Sequence, residues 1–307
     1  MTDSVRTLQR RVVEHIQVES LWTPGQSVLV AVSGGVDSTA LLHLLHRTQG
    51  AHKADLKVMS IDHGLRSESE KEVQKVEAHC KTLGVPFESR RLDIEVGPNL
   101  AERARDARRE ALLSVGADRI ATGHHQDDQA ETVLYHLLRG SGLRGLQGMQ
   151  PRNGPWVRPL LREPRSVLSG WAEREGLSWV EDPSNAVSQR GRIRSLMPSL
   201  DTLHGGASAA LARTARLLAR EDELLAQLED SAWSKLVVDG RLNRQSLAEQ
   251  HPAIQLRLLR RFVGDGRVRA DMLEAVVQGS LMTRGQLDLG HGLRLVCSRG
   301  ELSVECA

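Results

Sequence analysis

The sequence predicts an α/β protein: a doubly wound parallel sheet followed by a smaller, mainly helical domain that ends in a β-hairpin. Three observations carry this expectation. Up to about residue 140, apolar β-branched runs alternate with segments of helical periodicity, as in a sheet wound by crossover helices. Beyond that point the strand signal fades and helical spacing dominates. The length of 307 residues, at roughly 150 per domain, suggests two domains. They are expected at 1–205 and 206–307, with the seam at the small, flexible HGGAS segment.

Each element has its own signal. Val5, Leu8, Val12 and Ile16 recur at helical spacing, so a helix precedes the first strand. Residues 27–33 (SVLVAVS) read as a buried strand, which Gly34 and Gly35 break before a helix at 37–47. Residues 56–61 form the second strand, and 68–83 the helix after it. A weaker strand at 87–92, a helix at 100–113, a strand at 119–122 and a helix at 129–139 continue the alternation. Helical spacing then marks 162–175, 211–228, 251–262 and 270–278. Residues 286–289, 293–298 and 302–305 are the candidate strands of the closing hairpin.

Composition excludes several classes. Lys+Arg number 41 and Asp+Glu 39, so the chain is neither a histone-like tail nor an acidic scaffold. Any nucleic-acid surface must be a local patch. Of the basic residues 35 are Arg, which suits bidentate phosphate contact, but a GC-rich genome also raises Arg. Cys80, Cys297 and Cys306 are far apart and no CxxC occurs, which excludes a zinc ribbon, a cysteine-held cluster and a disulfide framework. The N-terminus lacks the apolar core of a signal peptide, and no apolar run approaches the ~18 residues of a membrane span. A cytoplasmic protein is expected.

The strongest local signal is Ser33-Gly34-Gly35-Val36-Asp37-Ser38, between the first sheet strand and a helix. Two glycines let the backbone turn sharply and approach a ligand, and a helix N-terminus offers amides to an anion. Ser33 and Ser38 add hydroxyls, and Asp37 can hold Mg²⁺ beside phosphates. A capped strand–helix turn explains one glycine and one polar residue here, but not all six. No Lys follows the glycines, so this is not the GxxxxGK[ST] loop. A later match to GxGxxG, Gly140 to Gly145, follows a helix rather than a strand and fails the context test for NAD binding.

A second constellation is Gly123-His124-His125-Gln126-Asp127-Asp128-Gln129-Ala130-Glu131-Thr132, at the next strand–helix junction. Asp128 and Glu131 are three apart and share a helix face. Ligands of doubly wound sheets sit outside the carboxyl ends of the strands, where SGGVDS also lies. Helix capping by the acidic residues and a metal site remain open readings, although no HExxH or other zinc spacing is present.

SGGVDS resembles the loop of the PP-loop ATP pyrophosphatase superfamily, which cleaves ATP to AMP and pyrophosphate. Together with Ile61-Asp62-His63-Gly64-Leu65-Arg66, GHHQDDQAETVL and LLRGSGLRGLQGM, it is similar to the bacterial tRNA(Ile)-lysidine synthetase family. Asn99, Ala104, Arg105 and Arg108 resemble that family's Arg-bearing helix; RPLL at 158–161, DPSN at 182–185 and Arg190 to Arg194 with Pro198 resemble later blocks. The resemblance covers roughly residues 25–200. Two positions depart from the pattern: Arg109 replaces a Tyr, and Gly191 replaces an Asn between two arginines.

The resemblance implies a PP-loop, adenine-nucleotide α-hydrolase-like fold and a ligase of tRNA modification. ATP adenylates the C2 oxygen of the wobble cytidine in a CAU-anticodon tRNA(Ile), and the ε-amine of free L-lysine displaces AMP to give lysidine. It further implies nucleotide binding by Ser33, Gly34, Gly35, Val36, Asp37, Ser38, Asp62 and His63, with Mg²⁺ at Asp37. Asp128 and Glu131 would receive lysine, and Arg105 would stabilise the adenylate; as one charge on a solvated helix face, Arg105 has an equally good plain reading. The implied partners are tRNA(Ile) and free lysine, with homodimerisation left open and no membrane.

From Arg139 to Arg194 there are 10 Arg against 5 acidic residues, interleaved with Trp156, Trp171 and Trp179, a candidate RNA-facing surface. At least two of these tryptophans are expected in the core. The competing readings are tRNA thiolation by the same kind of loop, a small-molecule amidating ligase, and a catalytically dead RNA-binding protein. The missing cysteine pairs count against the first, the RGSGLRGL block against the second, and the intact SGGVDS and DxxE against the third.

Overall fold

The computed structural model describes residues 5–62, 69–92, 94, 97, 99–180, 189–264, 268–277 and 285–306. Its first part runs α1 (Val5–Val18), β1 (Ser27–Ala31), α2 (Val36–His52), β2 (Asp55–Asp62), α3 (Ser69–Leu83) and β3 (Phe87–Arg91). There follow α4 (Leu100–Leu113), β4 (Arg119–Ala121), α5 (Gln126–Leu138), α6 (Leu143–Leu146), β5 (Arg152–Asn153) and β6 (Trp156–Val157). Then come α7 (Arg165–Arg174), α8 (Gln189–Leu203) and the long α9 (Ala207–Leu236). The chain divides into two compact units, Met1–Leu218 and Ala219–Ala307, and the division falls inside α9 rather than at HGGAS.

The first unit holds a six-stranded sheet of order β3-β2-β1-β4-β6-β5. β1 pairs in parallel with both β2 and β4, and only the two-residue edge strand β5 runs antiparallel. The doubly wound expectation holds. Val28, Val30 and Val32 pack with residues of α1, α2 and α3, while Leu29 and Ala31 pack on the other face with Met59, Leu112 and Ile120. A strand buried on both faces needs apolar side chains at every position, which is why SVLVAVS shows no alternation. The carboxylate of Asp118 accepts hydrogen bonds from the Ser27 amide and hydroxyl, both 2.8 Å, and clamps the starts of β1 and β4 together.

Strand order sets the site. The chain winds outward from β1 to β2 and β3, then returns to place β4 on the other side of β1. The switch point lies between β1 and β4, where the crevice at the strand ends opens. The Gly140–Gly145 segment follows α5, so the structure gives it no Rossmann context.

The second unit contains the rest of α9, then β7 (Val237–Val238), β8 (Arg241–Asn243), α10 (Arg244–Ala248), α11 (Pro252–Val263) and α12 (Ala270–Ala275). It ends in β9 (Gly285–Gly290), β10 (Leu293–Ser298) and β11 (Glu301–Cys306). The expected closing strands are present, but within a five-stranded antiparallel sheet of order β7-β8-β11-β10-β9. Strands β7 and β8 were not anticipated, although the Asp239–Gly240 turn between them, with φ of 50° and 72°, carries the Asp-Gly signature of a tight hairpin. Leu258, Leu259, Leu273, Leu295 and Leu302 form the core of this unit. Among the described residues no helix is long and apolar enough to cross a membrane.

Candidate active site

The SGGVDS loop leaves the carboxyl end of β1 and enters α2. Gly34 has φ +84°, a left-handed conformation that strains a side chain, and it turns the chain into the helix. Gly35 is the N-cap of α2 and no side-chain cap bond is made, so the first-turn amides remain open to an anion. Ser38 is buried and works inside the loop: its hydroxyl accepts from the Ser33 amide at 3.1 Å and donates to the Gly35 carbonyl at 3.0 Å. Ser33 is exposed, with its own hydroxyl 3.2 Å from that of Ser38.

The β4–α5 loop comes against this turn. A Cβ on Gly123 would lie 3.1 Å from the carbonyl carbon of Asp37 and 3.1 Å from the Ser38 amide nitrogen. Glycine is therefore what lets the two loops touch. Next in the chain, His125 N-caps α5 in a capping box: the His125 amide donates to Asp128 Oδ2 at 3.0 Å, and the Asp128 amide donates to His125 Nδ1 at 3.4 Å. The imidazole is buried and joins three carboxylates, with Nε2 3.3 Å from Asp128 Oδ2 and 3.6 Å from Asp37 Oδ2, and Nδ1 3.7 Å from Asp127 Oδ2. Burial pushes the His125 pKa down, but Asp37, Asp128 and Asp127 push it up, and the carboxylates prevail. For Asp37, burial pushes the pKa up, whereas His125 and Arg165 hold it down and win.

Asp37 Oδ1 is buried with no hydrogen-bond partner. An orphaned carboxylate oxygen beside open helix amides fits a divalent cation held jointly with phosphates, the usual arrangement for Mg²⁺. Among the described residues no group of three His, Cys, Asp or Glu side chains is arranged to hold a metal ion by itself. Arg165, at the start of α7, approaches Asp37 to 3.7 Å, and its amide donates to Asp127 Oδ2 at 2.8 Å.

Asp128 and Glu131 do share a face of α5, but they are not alone there. Arg194 of α8 forks onto Glu131, Nε to Oε1 at 2.6 Å and Nη2 to Oε2 at 3.1 Å, and lies 3.6 Å from Asp128 Oδ1. Glu131 is buried, so this pair sits where the charge is poorly screened. Gln129, also buried, donates to the Gln147 and Met149 carbonyls and accepts from the Met149 amide, which pins the RGSGLRGLQGM segment to α5.

The other expected site residues are placed as follows. Asp62 ends β2, next to the end of β1, and its carbonyl accepts from the Leu92 amide at 2.7 Å. Arg105 is exposed on α4 and is not joined to Asp37, Asp128 or Glu131 by a hydrogen bond or ion pair. His63, the HGLR segment and DPSN lie outside the described residues. Trp171 is fully buried, while Trp156 and Trp179 are partly buried against the two cores of the first unit. Arg109, the residue in place of the family's Tyr, lies over the Trp156 ring, 4.9 Å from its centroid, in a cation–π contact. Several arginines of the proposed basic surface have internal partners: Arg158 with the Gln150 carbonyl, Arg162 with Glu19, and Arg194 with Glu131. Arg139, Arg144, Arg165, Arg174 and Arg192 stand exposed.

The structure brings the two segments together through His125, which sequence reasoning did not single out as a hub, and pairs Glu131 with Arg194, which it did not connect to them. His125 had a signal, two histidines before three carboxylates. Arg194 had none that pointed to Glu131, because the two lie 63 residues apart.

A parallel sheet with an SGGVDS loop at its switch point defines a PP-loop protein, and the family model described as a PP-loop domain matches residues 5–200. A tRNA(Ile)-lysidine synthase of Gloeobacter violaceus is 39% identical over 300 residues, covering 92% of this chain and 91% of that protein. One from Pseudomonas syringae pv. tomato is 41% identical over 224 residues, covering 69% of this chain and 50% of that protein. The chain belongs to the tRNA(Ile)-lysidine synthase family. It spans about half the length of the Pseudomonas relative. Among solved structures, the U34-tRNA thiolase NcsA from Methanococcus maripaludis, with its [4Fe-4S] cluster, superposes with a TM-score of 0.60 at 20% identity, over 70% of this chain and 78% of that one. At that identity the likeness speaks for the fold alone.

Proposed function

We propose that this chain is a cytoplasmic ligase that joins L-lysine to C2 of the wobble cytidine in a CAU-anticodon tRNA(Ile), at the expense of ATP. The observation that carries this reading is the meeting of the two motifs. Gly123 packs on Asp37 and Ser38, and His125 bridges Asp37 to Asp128, so a phosphate cradle and a seat for a cationic nucleophile share one crevice.

The chemistry then follows in two displacements. The cytidine C2 oxygen attacks the α-phosphorus, the α–β phosphoanhydride breaks, and pyrophosphate leaves. The amides of the SGG turn and the first turn of α2 take the negative charge, with Asp62 and His63 as further nucleotide contacts. Bound at Asp37, Mg²⁺ would supply positive charge to the phosphates. Asp128 and Glu131 receive the lysine ammonium, and one of them takes its proton, since only the neutral amine is nucleophilic. The amine attacks C2 and AMP departs. We assign exposed Arg105 to the charge that develops on the adenylate.

The test is mass spectrometry of nucleosides from tRNA treated with the chain, ATP and L-lysine. Cytidine of the isoleucine tRNA should gain lysine minus water, and elongator methionine tRNA, which shares the anticodon, should not change. A product that contains sulfur, or that forms without lysine, would overturn the reading.

A further inference from the structure

Resting on the lysidine reading, we infer that Arg194 is a resident cation: its guanidinium occupies the seat that the ammonium of lysine must take, and lysine enters by displacing it. Both oxygens of Glu131 are filled by the Arg194 fork, at 2.6 and 3.1 Å, and the same guanidinium reaches Asp128 Oδ1 at 3.6 Å. The two carboxylates assigned to the nucleophile thus already hold a positive charge. A second cation brought to Glu131 would lie against the first with little water between them, because the Glu131 side chain is only 4% exposed.

The seat can be vacated without unfolding. The Arg194 side chain is 48% exposed, so it has a path to solvent, whereas Ile193 and Met197 on either side of it are buried. Met197 packs with Ala130 of α5, which holds the α8 backbone in place while one long side chain swings. The arrangement has a chemical use. A buried carboxylate left without a counter-ion is costly and would draw in a stray amine. The guanidinium offsets the buried charge of Glu131 and is itself inert, since it does not surrender a proton and cannot attack an adenylate. An incoming ammonium restores the same contacts but can become a nucleophile. Arg194 is in this sense a positioning residue that acts through Glu131, and it sets a threshold that lysine must exceed.

The threshold has a measurable form. If the open seat is a minor state, the apparent affinity for lysine falls by the fraction of time it is open, about tenfold for a seat open one-tenth of the time. The experiment follows lysidine formation by the full chain with ATP, Mg²⁺ and CAU-anticodon isoleucine tRNA, as lysine is varied. Arg194→Gln should lower KM for lysine by about tenfold and leave KM for ATP within about twofold. Guanidinium chloride at millimolar concentration should inhibit Arg194→Gln competitively with lysine, well beyond its effect on the wild type and beyond equimolar NaCl. Arg194→Lys keeps the charge on Glu131 but loses the fork, and should fall between the two; it serves if Arg194→Gln does not fold, as judged by thermal melting. An unchanged or raised KM for lysine in a folded variant, with no competition by guanidinium, would overturn the inference. A wild-type chain that makes no lysidine would instead defeat the parent reading.

Discussion

Gly123→Ala tests whether the contact between the two loops organises the site. Gly123 has no positive φ, so alanine is compatible with its backbone and the perturbation is purely steric. The added Cβ would stand 3.1 Å from the carbonyl carbon of Asp37, 3.1 Å from the Ser38 nitrogen and 3.2 Å from the Asp37 oxygen, all backbone atoms. No flexible side-chain end can yield there; the first turn of α2 and the β4–α5 loop must part by a few tenths of an ångström. Overpacking of this kind costs about 1–3 kcal/mol of stability. Misplacement by ~1 Å costs about 10²-fold in rate, so a shift of this size should slow turnover by roughly three- to tenfold. Thermal melting and pyrophosphate release, measured on the same preparation, separate the two effects. Turnover and melting temperature both equal to the wild type would refute the close approach and, with it, the shared crevice.

Asp37→Asn keeps the shape of the loop but removes the charge placed beside the phosphates. Turnover should fall by roughly 10²-fold or more, with the melting temperature little changed, and normal ATP-dependent activity would remove Asp37 from the ATP site. His15 is buried and its pKa is pushed down from 6.5 to about 4, chiefly by burial, then by the Arg162 charge, against the Arg158 carbonyl that raises it. The unfolded chain therefore binds the proton first. Stability is full above pH 6.5 and declines as pH falls toward 4, by at most about 3 kcal/mol from this residue. His43, also lowered to about 4 by burial and by the charges of His79, Arg47 and His46, acts with the same sign. Urea unfolding of His15→Gln across pH 4–7 should show a shallower decline than the wild type, and an equal slope would count against a neutral buried ring. Arg192 is exposed on α8. If it meets an RNA phosphate, Arg192→Ala should reduce the slope of log affinity against log salt by roughly 0.7–0.9 in a filter-binding titration.

The sequence alone determined a good deal about this protein. A strand buried on both faces must be apolar throughout, so β1 was legible in SVLVAVS, and a helix that begins directly after two glycines, with Asp37 in its first turn, was legible as a helix N-terminus at a strand end. These are local matters of backbone freedom and burial, and local sequence encodes them. The closing strands were legible for the same reason, whereas β7 and β8 went unread because two- and three-residue strands are too short to show a period. What only the tertiary structure decided is pairing at a distance. That β4 returns beside β1, that Gly123 meets Asp37, that His125 gathers three carboxylates, and that Arg194 fills Glu131 all depend on which strand lies next to which. An arginine in a charged segment reads as a solvated or RNA-facing group, because nothing within its own turn of helix records the buried carboxylate across the fold. Ion pairing is set by distance in space, and packing of the whole chain sets that distance.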